Sequence, residues 1–583
     1  MKKTIAIGMM LCLAFATVLP GIAQTPASVS KLNYNRFYNY DEVTAILKQW
    51  VKAHPNRLTL ESAGQSTQGR EMWVLTMNNK KTGALMHKAA MYIDANIHGN
   101  EVQGAEAVLY TIDYLLTNYG KVDKVTQLVD QRAFYFVPMA NPDGRAHFFD
   151  RSGMSGYARS GMHPTDNDRD GAADEDGNDD LDGDGFILQM RKKVTHGTHR
   201  ISKYDSRLME RVGPGEEGDY VMLGSEGVDN DGDGRLNEDG PGGYDLNRNW
   251  PTDWQPNYVQ RGAGDYPFSY PETRAIGDFI LNHPNIAGVQ AYHNSGGMIL
   301  RGPGDKSQGT YPRRDILVYD HIGKRGEAML PFYKYMILWR DLYPVHGGFI
   351  NWTAEGLGIF SFSNELWSSS QYDNRAREGG RSSRNRDDYM KRQQKRLQFD
   401  DDVEMGTRYK EWKPFDHPDY GRIELGGWVH ETGRVPPLFM LEELCHRNAM
   451  FTLYHAEQMP LPLFENVDVK KISGDVFQVQ VTLRNRRAIP TIGQWAATHD
   501  LMTPDILKFK GKNMTVVDAG LVEDAWNKRV RRIDKRPARV VLNSGLPGND
   551  QVIVQWIVQG KGRGTLTYVS MKGGRLKKHV TLK

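Results

Sequence analysis

The run Ala90-Met91-Tyr92-Ile93-Asp94-Ala95 constrains this chain more than any other stretch, because Asn96-Ile97-His98-Gly99-Asn100-Glu101 follows it directly and a helical pattern then runs from Val102 to about Tyr119. A short apolar run that feeds a helix through a turn reads as a buried strand in a layered α/β arrangement. His98 and Glu101 then stand three residues apart at a strand-to-helix corner, where two side chains converge on one point. An imidazole and a carboxylate are donors suited to zinc. His-x-x-Glu alone is common on protein surfaces, so the metal reading depends on what the rest of the chain adds.

Strands and helices alternate through the first two thirds. Asp41 reads as the N-cap of a helix with Val43, Ile46, Leu47, Trp50 and Val51 on one face. Ser66–Arg70 reads as a turn between two strands, and the strand Ala133–Met139 ends in the turn signal Asn141-Pro-Asp-Gly144. Pro271–His283 has the pattern of a helix with proline in its first turn, and Pro437–Gln458 that of a last helix before a Pro460-Leu-Pro462 linker. The strands Ala287–His293 and Ile359–Glu365 deliver His293 and Glu365 at their ends. This alternation predicts an α/β fold, a mixed and mainly parallel sheet flanked by helices. Beyond residue 464 the period becomes two, as in Phe477, Val479, Val481 and Leu483 and again in Val552, Val554, Trp556 and Val558. That pattern predicts an all-β sandwich. A chain of 583 residues exceeds one ordinary core, and the expected domains are 31–460 and 464–583.

Two insertions interrupt the first domain. Within 150–240, Asp166-Asn-Asp168-Arg-Asp170-Gly171-Ala-Ala-Asp174-Glu-Asp-Gly177 recurs as Asp229-Asn-Asp231-Gly-Asp233-Gly234-Arg-Leu-Asn237-Glu-Asp-Gly240, with eight of twelve positions identical. A shorter variant, Asp180-Leu-Asp182-Gly-Asp184-Gly185, lies between them. Carboxylates at positions 1, 3 and 5 with glycine at 6 begin a calcium loop. Position 12 is glycine and no helices flank the loops, so this is not an EF-hand pair; a solvated acidic loop is the plainer alternative. The repetition favours calcium, with Asp166, Asp168, Asp170, Asp174, Asp229, Asp231, Asp233 and Asn237 as candidate ligands. The second insertion, 372–436, is polar and arginine-rich over 372–410, and interleaved aspartates make it read as a mobile surface loop rather than a nucleic-acid patch. The net charge of +3 gives no nucleic-acid footprint either.

Residues 1–23 have the layout of a cleaved secretory signal: Lys2 and Lys3, an apolar Ile5–Val18, then Gly21-Ile22-Ala23. The apolar core is short for a membrane span, and no later stretch is apolar for long enough to be one. The expected location is therefore secreted, periplasmic or extracellular. Cys12 lies in the leader, which leaves Cys445, in an apolar pattern, as a core residue and rules out an internal disulfide in the mature chain.

His98, Glu101 and His293 make one candidate zinc site, each at a predicted strand end or the corner after it. Two histidines and a carboxylate with a fourth place open to water is a catalytic arrangement. Glu365, at another strand end, is placed to act as general base; a salt-bridged strand residue is the reading that spacing alone gives.

From about residue 33 to 460 the chain resembles the zinc carboxypeptidase (metallocarboxypeptidase) family. The resemblance is carried in order by Ser66–Arg70, His98-Gly-Asn-Glu101, Asn141–Gly144, Met190-Arg191-Lys192, Asp245-Leu-Asn247-Arg248-Asn249-Trp250, His293, and Tyr343, Gly347-Gly348, Ile350-Asn351-Trp352 and Glu365. It implies one catalytic zinc on His98, Glu101 and His293, Glu365 as catalytic glutamate, and Arg191 polarising the scissile carbonyl. It further implies that Asn247 and Arg248 grip the terminal carboxylate, Tyr343 caps it, and Ile350 reads the terminal side chain. A planar guanidinium suits a carboxylate, and an apolar residue at 350 leans toward aliphatic or aromatic termini.

The leading expectation is a secreted metallocarboxypeptidase acting on peptide or protein C-termini. A cell-wall γ-glutamyl–diaminopimelate peptidase of the same fold and an inactive calcium-stabilised binding protein are the rivals.

Overall fold

The structure, a computed structural model, describes residues 32–150, 159–368, 385–429, 434–524, 526–527 and 529–583. The expected leader with Cys12, and residues 372–384 of the arginine-rich stretch, lie outside them. Up to residue 429 the strands are β1 (Leu58–Gln65), β2 (Glu71–Met77), β3 (Ala90–Ala95), β4 (Ala133–Val137), β5 (Gln189–Gly197), β6 (His199–Ile201), β7 (Met209–Arg211), β8 (Gly218–Ser225), β9 (Ile286–Asn294), β10 (Met298–Arg301), β11 (Lys334–Ile337), β12 (Phe360–Leu366), β13 (Tyr409–His417) and β14 (Gly421–Trp428). The main helices are α1 (Tyr40–Ala53), α2 (Gln103–Asn118), α3 (Asp123–Gln131), α4 (Pro142–Asp150), α5 (Pro271–Asn282), α6 (Arg313–Met329), α7 (Arg386–Val403) and α8 (Leu441–Gln458).

The main sheet has the order β1-β2-β4-β3-β9-β12-β10-β11. Its centre, β4-β3-β9-β12, is parallel throughout, and antiparallel pairs flank it. Every residue of β3, β4 and β9 is buried, as expected of parallel strands covered on both faces. The expected mixed, mainly parallel sheet is therefore what forms. Helix α2 leaves the corner after β3 and lies close on the sheet: a Cβ at Gly104 would stand 2.9 Å from Ala95 Cβ and 3.2 Å from Tyr292 Cβ. Only a glycine lets the first turn of α2 approach this near, which seats the corner against the ends of β3 and β9.

Two local readings are corrected. The cap of α1 is Asn39, in a capping box with Glu42, and Asp41 lies inside the first turn. Asn141–Gly144 opens α4 rather than a free turn: Asn141 Oδ1 accepts from Gly144 N at 2.8 Å, with Pro142 at the helix start. The residue types that favour turns also cap helices, so the sequence did not separate the two.

The described part of the second insertion is more ordered than expected. Strands from both build one six-stranded sheet, β13-β14-β5-β8-β6-β7, joined where β14 pairs antiparallel with β5. Residues 386–403, read as part of a loop, form α7, whose Met390 and Leu397 pack with Leu208 and Tyr409.

From Pro462 the chain forms two antiparallel sheets of five and four strands around Phe477, Val479, Leu483, Leu507, Trp556, Val558 and Tyr568. One short helix, α9 (Gln494–Thr498), docks on the first domain, with Asp315 of α6 accepting from Gln494 N and Trp495 N. On the same interface the buried Lys572 Nζ donates to Ile286 O at 2.5 Å. Cys445 is fully buried in α8. Among the described residues no helix is long and apolar enough to cross a membrane.

Candidate active site

The corner after β3 is held by its own polar groups. Asn96 has φ +60°, a conformation asparagine tolerates because its amide bonds locally. Its Nδ2 donates to His98 O at 2.7 Å and Gly99 O at 2.9 Å. The fully buried Arg145 of α4 donates to Asn96 Oδ1 and Val102 O, both at 3.0 Å, and to Glu106 Oε1 at 2.7 Å. One guanidinium thus ties both ends of the corner that carries His98 and Glu101.

The three expected ligands meet. His98 Nδ1 lies 3.0 Å from Glu101 Oε1, His293 Nδ1 lies 2.9 Å from Glu101 Oε2, and the two Nδ1 atoms are 3.2 Å apart. All three side chains are buried. Two imidazole nitrogens facing each other beside one carboxylate, out of water, form a donor set that fits zinc. His98 Nε2 is bonded in turn to Asp245 Oδ1 at 2.9 Å, the carboxylate–histidine support common behind metal-ligating imidazoles. Burial opposes ionisation of Glu101 and Asp245. The neighbouring His98 outweighs it at both, with His293 at Glu101 and Arg159 and Arg248 at Asp245, and holds both carboxyls well below their usual values.

Glu365 reaches the same end of the sheet because β12 runs parallel to β9 with Glu365 in register with His293, and antiparallel to β10 with Glu365 opposite Met298. Burial first, and then the charge of Glu101, push its carboxyl up to about 7.

Arg191 is not brought to this point. It sits in the insertion sheet, where Nε donates to Glu424 Oε2 at 2.7 Å and the guanidinium packs over the rings of Tyr220 and Trp412. Arg159 stands at the metal cluster instead. Its Nη1 donates to Glu101 Oε1 at 3.2 Å and its Nη2 to Asp245 Oδ2 at 3.0 Å, and its carbonyl accepts from Gly99 N at 3.0 Å. Arg434, beyond the second insertion's strands, also borders the cluster, 3.6 Å from Glu101 Oε1. No periodicity marks Arg159. An arginine is expected between the ligand pair and Asn247-Arg248, but the chain carries several there, among them Arg132, Arg145, Arg159 and Arg191, and spacing does not choose among them.

The cluster opens into a cavity of about 300 Å³ that also receives Asn247, Arg248, Tyr343 and Ile350. Asn247 Oδ1 accepts from Phe349 N at 2.9 Å, and Arg248 Nη1 donates to Asn247 O at 2.8 Å. Gly347, at φ +62°, lets the following loop pass so near Arg248 that a Cβ there would fall 2.3 Å from its carbonyl oxygen. Met298, Leu300, Leu338, Leu342 and Ile350 give the cavity an apolar part of its lining, and the Tyr343 that also lines it is half exposed. Among the described residues that line the cavity, the only carboxylates are Glu101 and Glu365.

The acidic repeats face each other across a bridge between Asp176 and Asp239. Asp239 accepts from Asn167 N and Asp174 N, and Asp176 accepts from Asn237 N, so each repeat caps the other's backbone. Carboxylate oxygens of Asp168, Asp231, Asp233 and Glu238 gather within 4.8 Å of one another, as do those of Asp168, Asp170 and Glu175 and those of Asp166, Asp168 and Asp239. Asp174 and Asp229 are not among these groups. Asp174 accepts from Thr165 N, Asn237 donates to Ser225 O, and Asp229 accepts from Gly232 N and Gly234 N. Glu175 and Glu238, the residues after Asp174 and Asn237, are members of those groups.

A profile of the family described as zinc carboxypeptidase matches residues 43–181 and 220–378, and one described as a domain of unknown function matches 463–581. Carboxypeptidase D of Mus musculus is 32% identical over 144 residues, 25% of this chain and 10% of that protein. A zinc carboxypeptidase of Saccharothrix mutabilis subsp. capreolus is 32% identical over 111 residues, 19% of this chain and 25% of that one. The match therefore spans a quarter or less of these relatives. Among solved structures, carboxypeptidase A from Helicoverpa armigera shows 21% identity over 59% of this chain and 68% of that chain, with a TM-score of 0.39.

Proposed function

This chain belongs to the zinc carboxypeptidase family, and on that premise we propose that it removes the C-terminal residue from peptides or proteins and prefers apolar termini. The observation that carries this reading is the convergence, in one cleft, of a His98–Glu101–His293 donor set, Glu365 in register beside it, and the Asn247-Arg248 pair among apolar lining residues. Zinc held by the three ligands would supply a Lewis acid for the scissile carbonyl and an activated water. Arg248, with Asn247, takes the terminal carboxylate through a planar, bidentate donor face. Tyr343 closes over it from the rim. The wall containing Ile350 accepts an aliphatic or aromatic side chain and offers no counter-charge to a basic one. Arg159, rather than Arg191, stands at the metal cluster and would supply positive charge to the carbonyl oxygen. Glu365, with a carboxyl that titrates near neutrality, accepts the proton of the attacking water and returns it to the leaving amine.

Residues 1–23 support action outside the cytoplasm, and the gathered carboxylates of the acidic repeats support structural calcium there. The test is hydrolysis of N-blocked dipeptides ending in Phe, Leu, Lys, Arg or Glu by the mature protein and by Glu365→Ala, each with and without a chelator. The expected result is chelator-sensitive release of Phe and Leu, lost in the variant while zinc stays bound. Stoichiometric zinc with no terminus released would overturn the general peptidase reading and turn the search to cell-wall peptides.

A further inference from the structure

The short acidic loop Asp180-Leu-Asp182-Gly-Asp184-Gly185 has the opening of a calcium loop but lacks its closing ligand. Counting from Asp180, the twelfth position, where a bidentate glutamate belongs, is Arg191, which is committed to Glu424 and two aromatic rings. Even so, the three aspartates bring one oxygen each within 4.8 Å of one another.

A carboxylate from elsewhere stands at the base of the loop. Glu226, just past the end of β8, is fully buried. Its Oε2 accepts from Leu188 N at 2.6 Å, while its Oε1 has no hydrogen-bond partner. Its backbone is clasped to both flanks of the loop: Glu226 N donates to Leu188 O at 3.0 Å, and Asp179 N donates to Glu226 O at 3.3 Å. The charges acting on Glu226 are those of Asp182, Asp184 and Asp180. Among the described residues Lys410 acts on Asp184, with Nζ 4.4 Å from the centre of the Phe186 ring. Glu226 stands outside the 4.8 Å group that the three aspartates form, but its unpartnered oxygen is buried at the base of their loop, where their charges act on it, and that is costly unless a cation joins them.

We propose that Asp180, Asp182, Asp184 and Glu226 form a calcium site, separate from the paired repeats, in which Glu226 replaces the loop's own twelfth residue. Four carboxylates and no nitrogen or sulfur suit a hard cation, and an irregular loop closed by a distant side chain suits calcium's variable coordination better than magnesium's strict octahedron. The bound ion would pin the end of β8 and the start of β5 to the loop. It would thus staple the insertion sheet at the point where Gly227 O also accepts from His417 Nε2 of β13, at 2.9 Å.

The test is calcium titration of the metal-stripped mature protein by equilibrium dialysis and calorimetry, with Glu226→Gln and Asp182→Asn beside wild type. Gln at 226 keeps an acceptor for Leu188 N, and Asp182 is exposed, so its variant stays informative if the buried one fails to fold. The expected result is that each variant binds one calcium fewer than wild type, or binds one equivalent at least tenfold more weakly. Unchanged stoichiometry and affinity in Asp182→Asn, or a loss there that Glu226→Gln does not share, would overturn the proposal, as would a wild type that binds no calcium.

Discussion

Replacing Asp245 by Asn tests how far the metal centre depends on its supporting carboxylate. Asp245 accepts from three donors at once: His98 Nε2 at 2.9 Å, Asn247 N at 2.8 Å and Arg159 Nη2 at 3.0 Å. An asparagine amide has one acceptor oxygen, and whichever way it turns, its NH₂ faces either a guanidinium or an imidazole N–H. At least one donor is left unpaired in a site that is almost closed to water, and His98 loses the negative partner that fixes which nitrogen it presents to the metal. Losses of this kind weaken metal binding about 10- to 100-fold, or about 1.4–2.7 kcal/mol. The assay is competition for zinc between the folded variant and a chromophoric chelator, with circular dichroism confirming the fold. A zinc Kd within twofold of wild type would refute the reasoning and reduce Asp245 to a backbone cap for Asn247.

Three further outcomes follow from the geometry. Arg159→Met should lower kcat/KM about 10²- to 10³-fold with zinc still bound, whereas Arg191→Met should leave turnover per folded molecule unchanged and lower Tm; the reverse pattern would restore Arg191 to the site. Ile350→Asp should weaken cleavage of Phe and Leu termini and create cleavage of Lys and Arg termini, and no gain on basic termini would show that residue 350 does not face the terminal side chain. Burial pushes the Lys572 ammonium down from 10.5 to about 7, so between those pH values the unfolded chain binds more protons than the folded one, and Lys572 makes stability rise with pH across that window. Lys572→Met should flatten that rise in urea midpoints measured from pH 6 to 10, and equal slopes in the two proteins would refute the buried-lysine account.

The parts of the site that the sequence disclosed are those fixed by short-range pattern. His98 and Glu101 share one corner, His293 and Glu365 end continuous apolar runs, and the parallel register of β9 and β12 sets those ends side by side. What the sequence hid depends on contacts made far along the chain. The pairing of Glu424 with Arg191 joins strands more than two hundred residues apart, and neither segment announces the other. The same holds for Glu226 over the short acidic loop. Arg159 was missed because a single charged residue in an aperiodic stretch looks the same whether it meets solvent or a metal cluster. The Asn39 cap and the helix after Asn141 were misread for a smaller reason: neighbouring polar residues compete for one role, and backbone geometry decides among them.

The roots of the first insertion touch each other at the active site. Ser160 Oγ donates to Tyr244 O, and Asp245 holds Arg159. The excursion from 161 to 243 therefore leaves and returns through one doorway, and to the catalytic core it is equivalent to a short closed loop. The entropy of closing such a loop grows only with the logarithm of its length. Repeats, strands and acidic loops can thus be gained or lost beyond that doorway while the spacing of Arg159, Asp245 and His98 stays the same, so the insertion behaves as an exchangeable module on a fixed catalytic frame.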